Sequence, residues 1–350
     1  MQPVEERLTY RPALDGVRAV AVLAVMLFHF KTKPLMPGGG IGVDVFFVLS
    51  GFLITTLLLQ EWKAEGSISL LRFYQRRALR LLPAVGFFIA AYCLVAITLA
   101  GTVPTPPLER LGEHVASIAT YSYNWLIAFD ATRSPGLTHL WSLSVEEQFY
   151  LAWPACLVIM LKMPAPARMG LTVLLVAASA ALPFLLDASP HRAYYGTDFR
   201  AQSLLWGSLL GQLYVAGLLT LLAERMAFRL TVAASTFFLA AFALFSADYG
   251  LATPVAMAAG LMVVGAVFQE GSVLSSRVLV YVGRRSYALY LWHGAFGAWV
   301  SSMDDAPATL LAFAGSFAAA ELSYRLVERP ALGLKARLGR RRERPHLFKR

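Results

Sequence analysis

Ten long apolar runs punctuate this 350-residue chain, and they constrain its fold more than any other feature. They lie at 14–30, 41–60, 82–100, 148–162, 169–186, 203–223, 229–247, 252–268, 286–302 and 308–327. A helix crosses a bilayer in roughly 17–25 residues, so several runs sit near the lower limit. The expected fold is therefore all-α: a polytopic membrane protein of about ten transmembrane helices. Composition agrees, with 57% hydrophobic and 15% charged residues and a mean hydropathy of +0.58, values that a soluble domain does not reach. Segment 111–129 is less apolar and is expected to be re-entrant or interfacial, outside the ten.

Positive charge sets the orientation. With the N-terminus inside, 24 of the 31 Lys and Arg residues fall in inner segments, six in outer ones, and Arg18 within the first span. This asymmetry implies cytoplasmic N- and C-termini. It also accounts for the net charge of +10, which is concentrated in short inner loops and the tail "RLGRRRERPHLFKR", so the excess reads as a topology signal and an attraction to anionic headgroups, not as a nucleic-acid surface. No cleavable signal peptide is expected, because the first apolar run is too long for one and the next follows closely. Cys93 and Cys156, both in apolar spans, support neither a disulfide framework nor a zinc site. No linker or repeat divides the chain, which reads as one membrane domain over 1–332 and a basic tail over 333–350.

The first run, "LDGVRAVAVLAVMLFHF", carries Asp15, Arg18 and His29. At about 100° per residue the three project from one stripe, with Arg18 and His29 roughly 16–17 Å apart along the axis. Ionisable residues in a span are costly and mark functional sites. The bland alternative has Arg18 snorkelling to the interface and His29 capping the far end.

Two further clusters stand on opposite sides. The inner one is "RFYQRRALRLLP", where Arg77 and Arg80 share a helix face and Arg76 and Arg72 extend it. "GRRSYALYLWH" adds Arg284 and Arg285. Forked guanidinium groups suit phosphates, and several together suit a polyphosphate or nucleotide-bearing ligand; a plain positive-inside loop is the competing reading. The outer cluster comprises His29, Asp44 beyond a "GGG" turn, and His139, Glu146 and Glu147 of "HLWSLSVEEQFY". A carboxylate beside an imidazole raises its basicity and fixes its tautomer, as a general base requires. The competing reading makes Glu146 and Glu147 ordinary acids of a helix N-terminus. His293 reads as a hydrogen-bonded packing residue. "GGGIGVDVFF" lacks the spacing and the strand–turn–helix setting of a dinucleotide fingerprint.

Taken together, "LDGVRAVAVLAVMLFHF", "GVDVFFVLSGFLIT", "RRALRLLP", "HLWSLSVEEQFYLAWP", "GRRSYALYLWH" and "YRLVERP" resemble the acyltransferase family 3 membrane proteins, bacterial O-acyltransferases of cell-surface sugars. The six motifs run in family order over about residues 10–332. Arg18 and His29 match the family's first-helix motif, and Arg77 and Arg80 its arginine pair. The resemblance implies a cytoplasmic-membrane enzyme that moves an acyl group, usually acetyl, from acyl-CoA to a hydroxyl of a sugar or glycolipid, without a metal. His29, Asp44, Glu146 and Glu147 would then form the catalytic set, with His29 deprotonating the acceptor and Asp44 or Glu147 orienting it; a covalent acyl-His relay is the variant. Arg18, Arg76, Arg77, Arg80 and Arg284 would hold the donor. "TDFRAQSLLWG" departs from the family's Thr-Asp-x-Arg-x-Asp pattern at Gln202, whose role stays open. The chain ends without the esterase-like domain fused to many relatives, so acceptor handling is expected in the membrane domain or a partner. The runner-up class is a transporter or flippase of an anionic or lipid-linked sugar, which would also place charge near the midplane.

Overall fold

The computed structural model describes residues 8–30, 35–130, 133–223, 226–245, 252–268, 273–300 and 306–340. The basic positions Arg7, Lys31, Lys33 and Arg225 and the tail from 341 onward lie outside them. Among the described residues there is no strand, and ten helices of 15 residues or more stand where the ten apolar runs lie. These are α1 (Pro12–His29), α2 (Gly42–Glu65), α3 (Leu70–Thr98), then α6 (Trp141–Met160), α7 (Ala165–Leu185), α9 (Thr197–Val215), α11 (Met226–Phe245), α12 (Ala252–Phe268), α14 (Ser286–Val300) and α15 (Ala306–Ser323). Short helices fill the connections: α4 (Leu108–Ala119) and α5 (Tyr123–Asp130), α8 (Pro190–Tyr195), α10 (Leu218–Ala223), α13 (Arg277–Arg284) and α16 (Arg329–Arg340). α4 and α5 account for segment 111–129 as two short helices. α16 carries the chain across residue 332 into the basic tail.

Five segments among the described residues are long and apolar enough to cross a membrane by themselves: α1, Gly39–Glu65, α3, α7 and Pro307–Leu334. Among the other long helices, α9 and α6 carry buried polar residues. α9 buries Arg200, Gln202, Ser203, Ser208 and Gln212, and α6 buries Ser142, Ser144 and Glu147. Such groups lower hydropathy yet are tolerated where they face protein and not lipid. The lipid-side helices show the reverse, with Phe184 of α7, Phe237 of α11 and Leu310 of α15 all exposed. This is a polytopic all-α membrane protein.

Two helix starts lie earlier than the apolar runs suggest. α3 begins at Leu70, not near residue 82, with the Ser69 side chain accepting from the Arg72 N–H. The arginines of "RFYQRRALR" are therefore helical positions of α3 and not loop residues. α6 begins at Trp141, not near 148, so Glu146 and Glu147 sit in its second turn. In both cases opposite charges met in the folded state let the helix extend through a polar stretch that looks like a terminus in one dimension.

α2 forms the spine of the bundle, packed most extensively against α9. The approach is close because two glycines meet backbone. A Cβ on Gly51 would strike the Leu204 carbonyl, and one on Gly207 the Val48 carbonyl. In lipid, where helix association depends on packing, small residues at such crossings let backbones touch.

Candidate active site

A cavity of about 460 Å³ runs beside α2, lined from Val43 in its first turn to Glu65 at its last. That stretch of helix spans about 33 Å at 1.5 Å per residue, the depth of a bilayer core. One end is cationic, formed by Arg18 of α1 and Arg76, Arg77 and Arg80 of α3. The other end is lined by Ser142 of α6 and Tyr290 of α14. The sequence placed charge and imidazole on opposite sides; the cavity starts at the arginines and stops short of the imidazoles, none of which lines it.

At the arginine end each cation has a distinct setting. Arg18 bonds Asp15 at 2.7 Å, so the first two members of the α1 stripe are a pair. Arg76 and Arg72 both pair with Glu61 of α2 at 3.1 Å, and Arg72 also with Glu65. Arg77 donates to Glu147 at 2.8 Å, lies 3.9 Å from Glu146, and covers the Tyr150 ring. Arg80 stands beside Arg18 and Arg77. No carboxylate lies within ion-pairing distance of Arg80 among the described residues. Arg284 stands outside the cavity lining: it is half-exposed, bonds the Tyr10 hydroxyl and lies 3.7 Å from Asp15, the partner of Arg18. Behind this end, "YRLVERP" forms a π-helical turn, Tyr324–Glu328, that packs on α3 and buries Glu328 within electrostatic reach of Arg80. That buried acid was not legible in the sequence; the π turn that turns it inward depends on packing.

The carboxylates assigned to the outer imidazole are elsewhere. Glu146 accepts from Ser50 and Tyr150, and Glu147 is tied to Arg77. Asp44 accepts from Arg200 and Ser203, each at 2.9 Å, in a fully buried pair. Neither Asp44 nor Glu147 orients His29. The physical reason is common to all three acids: a guanidinium or hydroxyl donor was at hand, and a buried carboxylate is stable only when paired and hydrogen-bonded. Gln202 bonds the Phe199 carbonyl and accepts from Thr253, tying α9 to α12.

His29 is oriented by the backbone. Its Nδ1 lies 2.8 Å from the Val25 carbonyl. A carbonyl only accepts, so Nδ1 carries the proton and Nε2 is left as a free base. The residue is exposed, so the base is open to an incoming group. Its ring stands 5.1 Å from His293, which in turn stands 4.6 Å from His139 and 5.2 Å from Tyr290. Tyr290 donates to the His139 carbonyl at 2.9 Å and shares a 2.5 Å hydrogen bond with Ser142. The three histidines thus occupy the layer between the Ser142–Tyr290 end of the cavity and the exposed face of His29. His293, read from sequence as packing, is at the centre of this layer. The signal for it was a lone imidazole three residues after Tyr290, hence on the same helix face. Among the described residues no cluster of His, Cys, Asp or Glu is arranged to hold a metal ion.

The family model described as an acyltransferase domain matches residues 11–324, nearly the whole chain. This chain belongs to the acyltransferase 3 family. Among curated proteins, a peptidoglycan O-acetyltransferase OatA of Listeria monocytogenes is 34% identical over 352 residues, covering 92% of this chain and 56% of the relative. An O-acetyltransferase OatA of Staphylococcus aureus is 32% identical over 347 residues, covering 92% and 57%. This acyltransferase 3 chain therefore spans little more than half the length of the curated relatives it matches. No solved structure matches it.

Proposed function

We propose that this protein is a membrane O-acetyltransferase of the bacterial cytoplasmic membrane. It takes acetyl from cytoplasmic acetyl-CoA and delivers it to a hydroxyl of a cell-envelope sugar or glycolipid, with peptidoglycan first among acceptors because a relative carries that name. The observation that carries the reading is the cavity beside α2, cationic at one end and lined by hydroxyls next to a histidine layer at the other. The inner arginines, Arg80 and Arg18 foremost, suit the phosphates of CoA. The apolar stretch past Leu57, Ile54, Leu53 and Phe46 suits the neutral pantetheine arm. A thioester reaching Ser142 and Tyr290 would stop beneath His29, whose free Nε2 takes the proton of the acceptor hydroxyl as that oxygen attacks the acyl carbon. The termini lie on the cytoplasmic side in this arrangement, with about ten helices crossing.

The test uses purified protein in vesicles, with labelled acetyl-CoA titrated on the arginine side and a soluble peptidoglycan fragment on the other. Wild type should release free CoA and form an alkali-labile acetyl ester. His29→Ala should insert normally and turn over at background, since losing a general base removes about 10²–10⁴ in rate. Arg80→Ala should raise the KM for acetyl-CoA with little change in kcat, as expected when ground-state binding is lost. A transporter or flippase of an anionic sugar would release no CoA, and that result would overturn the assignment.

A further inference from the structure

His293 is wholly buried, and its Nε2 has no hydrogen-bond partner. A buried, unpartnered acceptor costs about 1–3 kcal/mol and calls for an explanation. The tautomer is fixed, because Nδ1 lies 2.7 Å from the Tyr290 carbonyl and must carry the hydrogen. The atom left over is a lone pair with no donor, in a ring 5.1 Å from the ring of His29. The neighbouring ring is arranged alike. His139 Nε2 lies 3.1 Å from the Leu291 carbonyl, which leaves its Nδ1 as the lone-pair atom. Close packing holds the two buried rings together, since a Cβ on Gly294 of α14 would strike the His139 imidazole.

We propose that His293 is a positioning residue for acyl transfer: its unpartnered Nε2 accepts the proton that His29 acquires from the acceptor hydroxyl. The inference rests on the acyltransferase reading and adds to it a group that never touches substrate. In the step, the acceptor O–H bond breaks and its oxygen bonds the acyl carbon, while the carbon–sulfur bond of the thioester breaks. The proton arrives on His29 Nε2 and is shared with His293 Nε2, then ends on the departing CoA thiolate, so the transfer is proton-neutral. Protonated His29 would otherwise be a cation with no carboxylate beside it, its Nδ1 being held by the Val25 carbonyl. The missing carboxylate makes this role necessary: Asp44, Glu146 and Glu147 are all committed to other donors. The titratable groups facing His293 are His29 from α1, His139 from the turn before α6, and Tyr290 from its own helix. From α3 and α15 the layer meets the rings of Phe88 and Phe313.

Two substitutions separate this role from packing. His293→Asn keeps an N–H toward the Tyr290 carbonyl and removes the acceptor at the Nε2 position; His293→Gln places a carbonyl oxygen near that position. Both are reconstituted in vesicles and assayed with acetyl-CoA and the soluble peptidoglycan fragment across pH 5–8, beside wild type and His29→Ala. In His293→Asn, kcat should fall about 10–100-fold, the worth of one hydrogen bond to a charged group in the transition state, with the KM for acetyl-CoA unchanged. The acid limb of kcat/KM should move to lower pH, because His29 without its proton acceptor is a weaker base. His293→Gln should recover most of the rate and return the limb toward wild type. A limb that stays fixed in His293→Asn, whether turnover is intact or uniformly reduced, overturns the proposal and leaves a packing residue. Turnover at the wild-type rate in His29→Ala removes His29 as the base and overturns this proposal alone, whereas no CoA release from wild type overturns the acyltransferase reading and this proposal with it.

Discussion

Arg77 offers the sharpest test of how the arginine end is held together. Its guanidinium bonds Glu147 at 2.8 Å and again at 3.4 Å, lies 3.9 Å from Glu146 and covers Tyr150. The side chains of Arg77 and Glu147 are 19% and 8% exposed, so the pair is largely out of water. Arg77→Leu leaves two adjacent carboxylates without their shared cation, and breaking a buried pair costs about 3–5 kcal/mol. Arg76→Leu is different: Arg76 is 43% exposed, and Glu61 keeps Arg72 as a partner. Its loss should cost at most about 1 kcal/mol, the scale of an exposed pair. Replacing both Arg77 and Glu147 by Leu should recover part of the loss, because removing both charges is far less costly than stranding one. The assay is thermal unfolding of detergent-solubilised protein, following the monodisperse fraction by size-exclusion chromatography. Arg77→Leu should melt well below Arg76→Leu, with the double variant between Arg77→Leu and wild type. Equal midpoints for the two single variants, or a double variant that melts lowest, would refute the buried-pair reasoning. A donor-binding defect in an Arg77 variant is interpretable only alongside this measurement, whereas Arg80 lacks such a pair and reports on the donor directly.

Gly51→Leu should abolish correctly folded protein, because the side chain must displace the Leu204 backbone of α9, while Gly86→Leu, at a position open on all sides, should be tolerated; recovery of monodisperse protein from each distinguishes them. In a background with Cys93 and Cys156 replaced, Thr102→Cys should react with an impermeant thiol reagent in intact cells and Ala64→Cys only after lysis, both positions being exposed loop or helix-end sites; the opposite pattern would reverse the proposed orientation.

The number and position of the long helices were legible because apolarity over a bilayer's thickness is a property of a single segment. The arginine pair of α3 was legible for a similar reason, since residues three apart on a helix share a face whatever else the fold does. Pairings between helices were not. From spacing alone Asp44 and His29 sit at comparable depths, but depth does not fix azimuth, and Arg200 of α9 is the group that faces Asp44. Glu147 likewise lies one helix turn deeper than a terminal acid would, where Arg77 meets it. His293 was discounted because an isolated imidazole in an apolar helix is ambiguous until its neighbours from α1 and the turn before α6 are known.

The hydroxyl-and-histidine layer at the Ser142–Tyr290 end of the cavity also has an electrical consequence. A water-accessible cationic cavity reaching most of the way across a membrane brings the potential of one compartment nearly to the other, so the voltage falls over the short stretch between Ser142 and His29. A charge crossing that stretch would do work of about 2.3 kcal/mol per 100 mV. The packed ring layer and the Tyr290–Ser142–His139 hydrogen bonds act as an insulator there, against leakage of ions through the bundle. Under the proposed reaction an acetyl group passes outward across this insulator and one proton returns to the CoA thiolate, while the CoA polyanion stays behind it. The exchange of acetyl for a proton moves no net charge, so the equilibrium of transfer should be the same in energised and de-energised cells.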